Sequence, residues 1–498
     1  MQIYLGKHAT ETPHKTALVF QNQAYTYKWL QKQTGLTAEF LKSQHIQTLA
    51  FCTFNSPVNV LCYLGAWQAG IHAFPINPRY IDYELAKLLT EFAPDAIVIE
   101  FSRATDLLIS TCKQYKITLI TVNDDNPMQG DFWQKISTSK ATIQKERINP
   151  TESYTYHLTS GAMGHSKAAI HSLAQITEYA KNRAVDMSFN ADDVLLISLS
   201  LNHAFSFSYQ LLPGLALGLT MHLQPKFSEV ETFNIIVNNP ITSIALLPSM
   251  TYMLALYAEK QSKFTHVMRL PLVAGDALPA AFMTKFTKVF HVTLYQGIGM
   301  TEVFGYAQNT PTHLNSQSTG RLFDSVKVEI RNEHNEIISA GEIGNIFLQN
   351  EATPRAYLQQ PELSQKDLAN GWVNTGDIGY IDENRNFFFL GRKKQIIIHS
   401  GSNISSIEVE NALYQHKSII QAAVVGKNDP IFGQVVWAYV VLDNKGSMDE
   451  KNVIQHCTHY LSTYKIPEKV HFVETLPLNA TGKVDRFQLQ DIANKTAT

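Results

Sequence analysis

The segment from Thr159 to Lys167, TSGAMGHSK, contains residue types that are suited to holding phosphate groups. Its small residues allow backbone N–H groups to approach phosphate oxygens, its hydroxyls add donors, and its lysine supplies positive charge. The spacing is not that of the usual P-loop, because the last glycine stands three positions before the lysine instead of next to it. A Ser- and Gly-rich surface loop explains the same residues at least as well.

A second candidate segment runs from Gln296 to Glu302 and has the sequence QGIGMTE. A Thr-Glu pair on a turn flanked by glycines can bind a phosphate through the hydroxyl of Thr301. The carboxylate of Glu302 can bind a magnesium ion, which prefers oxygen ligands. The start of a helix is the alternative interpretation of this segment.

A third candidate is the run Asn374–Asp377, which Gly391 and Arg392 follow fifteen residues after the aspartate. An aspartate on a tight turn can accept hydrogen bonds from both hydroxyls of a ribose, and an arginine can support it. A plain turn between two strands is the alternative.

A fourth candidate lies near the C-terminus, where Lys483 follows Gly482 in the sequence PLNATGKVDR. A lysine on a glycine turn can reach a distant site as a mobile point charge. The alternative is an exposed lysine in a disordered tail.

The elements that must position these residues alternate in type along the first part of the chain. Short β-branched and apolar runs are separated by longer helix-like segments, which indicates βαβ units and parallel sheets packed with helices, an α/β fold. The predicted strands are Leu49–Thr53, Ala96–Glu100, Thr118–Val122, Val194–Leu199 and Thr242–Leu247.

The pattern changes from about Val326 onward, where short polar turns join successive strands as in a small antiparallel β region. The last hundred residues predict a separate α+β unit. It contains a helix capped by Ser405 or Ser406 and a second helix over Glu450–Tyr464. We therefore predict a large N-terminal domain over residues 1–393 and a small C-terminal domain over residues 394–498.

Length and composition exclude several classes of protein. A chain of 498 residues exceeds one ordinary core, and its net charge of −2 gives no basic excess for nucleic acid. Its four cysteines form no CxxC pair and its 18 histidines no HExxH pattern, so metal-ligand spacing is absent. The sequence shows neither a signal peptide nor a long apolar segment, from which we expect a cytoplasmic location.

The four segments, in this order, resemble those of the adenylate-forming superfamily, which includes acyl-CoA synthetases, peptide-synthetase adenylation domains and beetle luciferases. Further matches are Tyr25–Tyr27, Leu64–Gly70 with Pro75–Pro78, Ala274–Leu278, Gly401–Ile404 and Glu408–Glu410. The resemblance covers almost the whole chain. It implies that ATP and a carboxylic acid form an acyl-adenylate, from which a thiol, most often CoA, takes the acyl group.

The resemblance also implies a role for individual residues. Lys483, Thr301 and Glu302 would be catalytic, with Glu302 holding Mg²⁺, and His203 would line the acyl pocket or the thiol tunnel. Lys394 would be the hinge of a mobile C-terminal domain, and Gly401 would enter the site for the thiol half-reaction. The implied nucleotide-binding residues are Thr159, Ser160, Gly161, Gly164, Lys167, Gly275, Asp276, Ala277, Gly297, Ile298, Gly299, Thr301, Asp377 and Arg392.

Several positions depart from the family pattern. Ala162 and Met163 replace two threonines of the phosphate loop and Ser166 replaces a proline, which removes two hydroxyl donors worth about 1 kcal/mol each. Ile298 replaces the aromatic residue that packs on adenine. Asn345 replaces a glutamate, and Ser406 replaces a proline. Because the catalytic and ribose positions are intact, we expect an active enzyme with a divergent nucleotide site.

Three functions remain open at this stage. The first is an acid–CoA ligase, and the second is a stand-alone adenylating enzyme that loads a separate carrier protein. The third is a degenerate, non-catalytic nucleotide-binding protein. Phe205, Phe207 and Phe304 favour an apolar or aromatic acid, with no aspartate placed to bind an amine. The identity of the acid and the oligomeric state are left undetermined.

Overall fold

The structure, a computed structural model, describes residues 1–139, 149–159, 167–275, 278–400, 402–443, 448–479 and 482–496, apart from the side chains of Lys394 and Asn403. None of the helices in these ranges has both the length and the apolar character needed to cross a bilayer.

The strands fall into two long series and a C-terminal group. In the first half of the chain they are β1 (Thr16–Phe20), β2 (Gln23–Thr26), β3 (Thr48–Cys52), β4 (His72–Pro75), β5 (Ala96–Glu100), β6 (Thr118–Val122), β7 (Tyr154–Thr159), β8 (Lys167–Ser172), β9 (Val194–Ile197), β10 (Thr220–Leu223), β11 (Ser243–Leu246) and β12 (Leu270–Val273). Those that follow are β13 (Tyr295–Met300), β14 (Phe304–Gln308), β15 (Gly320–Leu322), β16 (Lys327–Arg331), β17 (Gly344–Gln349), β18 (Val373–Ile381) and β19 (Asn386–Arg392). The C-terminal group is β20 (Ile396–His399), β21 (Ser402–Ser405), β22 (Ile419–Asp429), β23 (Gly433–Leu442) and β24 (Lys469–Phe472).

The helices mostly separate the parallel strands. They are α1 (Gln2–Glu11), α2 (Tyr27–Ser43), α3 (Pro57–Ala69), α4 (Asp82–Phe92), α5 (Asp106–Tyr115), α6 (Asp131–Ser137), α7 (Leu173–Asp186), α8 (Ala204–Ser206), α9 (Leu212–Leu217), α10 (Glu229–Asn238), α11 (Pro248–Glu259), α12 (Ala280–Phe290), α13 (Pro361–Asp367), α14 (Ser406–Leu413), α15 (Glu450–Cys457) and α16 (Arg486–Lys495). A π-helical turn, Phe207–Leu211, joins α8 to α9.

The largest sheet has 13 strands and changes character at β13. The strands β1, β10, β9, β11, β12 and β13 pair in parallel, as the alternating strand and helix pattern predicts. From β13 onward β14, β15, β19, β18, β17 and β16 pair antiparallel. The predicted antiparallel region is therefore confirmed, and it continues the parallel sheet.

A second sheet of six strands runs in the order β6-β5-β3-β4-β7-β8 and is parallel except for the β7–β8 hairpin. The buried helix α3 packs against α2 and against strands β3 and β4 of this sheet. Every residue from Pro57 to Trp67 is buried. A Leu-, Val- and aromatic-rich core cluster joins α3 to strands of both sheets, which fixes their relative position.

The C-terminal group forms a third sheet, β21-β20-β23-β22, with β24 parallel to β23. The chain leaves the largest sheet at Arg392, where β19 ends, and enters this sheet at Ile396, where β20 begins. The predicted boundary after residue 393 lies in this interval and stays a prediction. The expected cap of α14 is Ser405, whose hydroxyl accepts a hydrogen bond from the N–H of Glu408.

The helix predicted over Glu450–Tyr464 is shorter than expected, because α15 ends at Cys457. The residues after Cys457 include Thr458, His459 and Tyr460, which have low helix propensity. A short 3₁₀ turn, Thr463–Lys465, takes the place of the last predicted helical turn.

Candidate active site

The tight hairpin of β13 and β14 carries Thr301 and Glu302 in its turn, so the alternative interpretation of a helix start is wrong. The two strands approach so closely at Gly299 that an added Cβ would lie 2.7 Å from the carbonyl oxygen of Phe304. Phe304 itself has φ +57°, which is strained for a bulky residue. The glycine is therefore required by the turn that presents Glu302.

Glu302 is a buried carboxylate, with 5 % of its surface exposed. Its Oε1 accepts a hydrogen bond from the hydroxyl of Tyr357 at 2.9 Å, and its backbone oxygen lies 2.9 Å from Nε2 of His171. Burial raises the pKa of Glu302, while the bond from Tyr357 and the charges of Lys167 and Arg392 lower it. A buried carboxylate of this kind gains stability from a bound cation.

The residues fit a magnesium ion that is shared with a substrate. Among the described residues no group of three or more His, Cys, Asp or Glu side chains could hold a metal by itself. Magnesium usually takes one or two carboxylates together with phosphate oxygens and waters. Glu302 would therefore supply a carboxylate ligand, and phosphates and waters the remainder.

Thr159 and Lys167 face each other across the β7–β8 hairpin, at the two ends of the predicted phosphate loop. The Nζ of Lys167 lies 2.8 Å from Oδ2 of Asp367 on α13, and 4.9 Å from the ring centroid of Tyr357. The lysine is therefore held over the tyrosine that binds Glu302. Ser160, Gly161 and Gly164 lie outside the described residues, as do the departures Ala162, Met163 and Ser166.

Asp377 lies in a bulge of β18, not in the turn that the sequence predicted. Strand β17 shifts register opposite residues 375–377, and Gly376 has φ +69°, a left-handed conformation that favours glycine. The hydroxyl of Thr375 donates to the carbonyl of Ile346 at 2.8 Å and accepts from the N–H of Asp377 at 3.0 Å. The bulge therefore fixes the orientation of the aspartate.

Arg392 pairs with Asp377 across the β18–β19 ladder, with Nε 3.3 Å from Oδ1. Asp377 is 2 % exposed, and its Oδ1 accepts no hydrogen bond from the described residues. Its Oδ2 lies 3.5 Å from the hydroxyl of Tyr306. A buried carboxylate oxygen with spare acceptor capacity, held beside an arginine, fits a ribose hydroxyl.

His203 begins the short helix α8, and its Nδ1 accepts a hydrogen bond from the N–H of Phe205. The preceding Asn202 anchors this segment, because its Nδ2 donates to the carbonyl of Ile76 at 2.7 Å and its Oδ1 accepts from Asn59. Burial and the charge of Lys483 lower the pKa of His203 to about 3. The imidazole is therefore neutral near pH 7, and cannot supply positive charge to the site.

Lys483 comes from the C-terminal part of the chain and reaches the same site. A Cβ added to Gly275 would lie 3.7 Å from Cε of Lys483, and one added to Gly482 would lie 3.5 Å from Cδ1 of Leu247. Gly482 has φ +82°, and the N–H of Lys483 donates to Oδ1 of Asn479, which shapes the turn. The interpretation of Lys483 as part of a disordered tail is therefore wrong.

Several of the predicted residues lie close enough together for their charges to affect one another's pKa. Burial raises the pKa of Asp377 to about 6, while the charges of Arg392 and Lys483 lower it and that of Glu302 raises it. Three of the four candidate segments and the Lys167 end of the phosphate loop thus share one region. Asp276, Ala277 and Gly401 lie outside the described residues, and Lys394 lies in the 3₁₀ turn Lys393–Gln395.

Three residues of the site, Tyr357, Asp367 and Tyr306, were not predicted from the sequence. Tyr306 lies four residues after Glu302, beside the second candidate segment, whereas Tyr357 and Asp367 lie outside every candidate segment and have no local signal. Two of the three phenylalanines expected to favour an apolar or aromatic acid have other contacts, because Phe207 and Phe304 pack into a buried cluster with His157 and His171. Of the three phenylalanines, Phe205 alone still supports an apolar acid.

The remaining departures lie on β13, on β17 and at the start of α14. Ile298 lies on β13, where its carbonyl accepts a hydrogen bond from the hydroxyl of Tyr209 at 3.1 Å. The Nδ2 of Asn345 donates to the carbonyl of Arg331 at 3.2 Å, within the antiparallel region. Ser406 is buried as the first residue of α14.

Known proteins match this chain over nearly its full length. Residues 5–358 match the family model described as AMP-binding enzyme, and residues 408–483 match the model of the AMP-binding enzyme C-terminal domain. An indoleacetate–CoA ligase of Aromatoleum aromaticum is 27% identical over 99% of this chain and 98% of its own length. A long-chain-fatty-acid–CoA ligase of Bacillus subtilis is 28% identical over 98% of this chain and 94% of its own.

Among solved structures, ATP-bound MatB from Rhodopseudomonas palustris aligns with a TM-score of 0.92 at 23% identity and covers 99% of both chains. A benzoate CoA ligase from Burkholderia xenovorans aligns with a TM-score of 0.87 at 21% identity, over 98% of this chain and 99% of the other. These alignments confirm the predicted fold class, a large α/β part with a smaller C-terminal α+β part.

The ion pair of Lys167 and Asp367 predicts a change in nucleotide affinity. Asp367→Asn should tighten ATP binding by up to about fivefold, because an ion pair near the surface is worth about 1 kcal/mol or less and its loss leaves the lysine for a phosphate. Calorimetric titration with MgATP measures the effect, and Glu362→Gln on the same helix is the control. Weaker binding by the Asp367 variant would show that the pair holds the lysine in its working position.

The raised pKa of Asp377, about 6, predicts a pH dependence of nucleoside binding. Adenosine should bind more weakly as the pH falls through this value, because the protonated carboxyl loses acceptor capacity for ribose hydroxyls. Adenosine is the probe since it has no group that titrates in this range. The pKa of Asp377 in the folded protein lies above the usual value for aspartate, so protonation of this group stabilises the folded state. Acid unfolding driven by Asp377 is therefore not the cause of the weaker adenosine binding. Asp377→Asn should bind weakly at every pH, and an unchanged profile in that variant would contradict the assignment.

Proposed function

Because the chain belongs to the AMP-binding enzyme family, we propose that it is an acid–CoA ligase, which activates a carboxylic acid with ATP and transfers the acyl group to CoA. The position of Lys483 carries the proposal. This ammonium group from the C-terminal part lies at Gly275, within electrostatic reach of Asp377 and His203. A cation at this position can stabilise the negative charge that develops during adenylation.

The substrates are ATP, a carboxylic acid and CoA, and Mg²⁺ is the metal. In the first half-reaction a carboxylate oxygen of the acid forms a bond to the α-phosphorus as the bond to pyrophosphate breaks. Lys483 lies where negative charge develops between these groups, and stabilising such charge is the largest contribution of many active sites. Asp377 and Arg392 hold the ribose, Thr301 contacts the α-phosphate, and Lys167 faces the other phosphates. Magnesium, when bound at Glu302, neutralises phosphate charge.

In the second half-reaction the CoA sulfur forms a bond to the acyl carbon, and AMP leaves with the electron pair of the broken C–O bond. Rotation of the C-terminal domain about Lys394 would withdraw Lys483 and bring the segment at Gly401 to the site, so that one site serves two reactions. The four cysteines are free and buried, which supports a reducing, cytoplasmic location as part of the proposal.

Two alternatives to this proposal are kept from the sequence. In the first, a separate carrier protein takes the place of CoA as the thiol. A non-catalytic nucleotide-binding protein is supported by the altered phosphate loop at Ala162 and Met163.

A pyrophosphate-release assay with a panel of acids, with and without CoA, tests the function. We expect release to require both an acid and MgATP, and an acyl-CoA thioester to appear when CoA is present. An acyl-adenylate that does not react with CoA would favour a carrier protein instead. No acid-dependent release, combined with measurable ATP binding, would favour the non-catalytic alternative.

The two half-reactions should respond differently to Lys483→Ala. Adenylation should fall by about 10²–10³-fold, the loss typical of removing one group that stabilises developing charge. Thioester formation from a supplied acyl-adenylate should persist, because the proposed second conformation withdraws this lysine. Lys469→Ala, on the surface of the same domain, is the matched control. An equal loss in both half-reactions would contradict the two-conformation assignment.

A further inference from the structure

Tyr209 lies in an irregular part of the helical segment that follows His203, next to the part of the site that is proposed to bind the acid. The segment that begins at His203 is α-helical through Ser206 and then widens into the π-helical turn Phe207–Leu211, which contains Tyr209. Single π-helical turns within α-helices are rare and occur frequently at functional sites. This turn brings the phenol of Tyr209 onto the β13–β14 hairpin.

The ring of Tyr209 occupies the space that two side chains would otherwise fill. A Cβ added to Gly305 would lie 2.4 Å from Cε2 of Tyr209, and one added to Gly297 would lie 3.3 Å from its hydroxyl. The hydroxyl donates a hydrogen bond to the carbonyl of Ile298 at 3.1 Å, and the residue is 2 % exposed. The hairpin and the phenol are therefore fitted to each other.

Phe205 connects this phenol to the catalytic lysine. A Cβ added to Gly275 would lie 3.9 Å from Cδ1 of Phe205, 3.7 Å from Cε of Lys483 and 2.9 Å from Cδ2 of Leu247. The ring of Phe205 in turn meets that of Tyr209 edge to face, with centroids 5.1 Å apart. Phe205 thus contacts both the space beside Lys483 and the ring of Tyr209.

For an acid whose carboxylate lies at Lys483, Leu247 and Phe205 would offer apolar surface to its substituent, and Tyr209 lies next to Phe205. The proton of the phenol is already donated to Ile298, so the ring presents an apolar surface to the acid. The curated relatives named above act on acids as different in size as indoleacetate and long-chain fatty acids, so family membership alone does not set the size. The limit must come from side chains of this chain.

We propose that Tyr209 closes the far end of the acyl pocket and restricts the enzyme to compact carboxylic acids, with a short aliphatic chain or a single ring. This inference rests on the proposed function. Tyr209 acts by excluding larger substituents, which makes it a specificity-determining residue. Gly297 and Gly305 are the positions that allow it to lie there.

The test compares kcat/KM for acid-dependent pyrophosphate release over straight-chain acids from acetate to dodecanoate, together with benzoate and naphthoate. Wild type should favour the short acids and benzoate. Tyr209→Ala should raise kcat/KM for the long acids and naphthoate by about tenfold or more, and lower it for the short acids, because misfitted methylenes in a pocket cost about tenfold or more. Tyr209→Phe, which keeps the ring and loses the hydroxyl, should keep the preference for short acids.

Thermal melting shows whether each variant folds, and Tyr209→Leu replaces the alanine variant if that one does not. A wild type that prefers dodecanoate, or a folded Tyr209→Ala with the wild-type order of acids, would overturn the inference and leave the proposed function intact. Absence of pyrophosphate release with every acid in wild type would overturn both. A shift toward long acids in the alanine variant, or in the leucine variant that replaces it, without one in the phenylalanine variant, would support the pocket assignment.

Discussion

The close approach of β13 and β14 is the constraint on which the site depends. Gly299 admits no side chain because the carbonyl of Phe304 occupies its place, and Gly305 admits none because the ring of Tyr209 does. This hairpin is also where the largest sheet changes from parallel to antiparallel pairing. It therefore holds Glu302 in its turn, presents Ile298 to Tyr209, and connects the α/β half of the sheet to the strands that carry Asp377.

The site places two buried carboxylates, Glu302 and Asp377, among three cationic side chains. Burial raises the pKa of both carboxyl groups, and positive charges from different segments lower it again. Removing one member of such a set leaves another charge buried without compensation. When substrates bind to an AMP-binding enzyme, phosphates and a divalent cation add further charges of both signs. Side chains of both charges in the site can pair with them. The ion pair of Lys167 with Asp367 supplies a partner for the lysine within the protein.

The aromatic packing gives Phe205, Phe207 and Phe304 different surroundings. Phe207 and Phe304 join His157 and His171 in a buried cluster beneath the β7–β8 hairpin strands, whereas Phe205 contacts the space beside Gly275 and Lys483. These roles cannot be separated by residue type, since all three side chains are identical. For Phe205 and Phe207 they follow from the helical register after His203, which the π-helical turn alters, and for Phe304 from its place at the start of β14.

The sequence by itself determined the family, the α/β class and the order of the motifs. Motifs such as Gly297–Glu302 and Asn374–Asp377 can be recognised from the sequence because their backbone geometry depends on residue types at a fixed local spacing. The five strands that it bounded, β3, β5, β6, β9 and β11, agree with the structure to within two residues, since β-branched runs are local signals. It overestimated α15, because weak helix formers after Cys457 end the helix early, and it described the bulge at Asp377 as a turn. Only the tertiary structure decided that Tyr357 binds Glu302, that Asp367 pairs with Lys167, and that Tyr209 lies over Gly305. Each of these contacts joins residues that are distant in the chain, and their chemistry becomes visible only when packing brings them together.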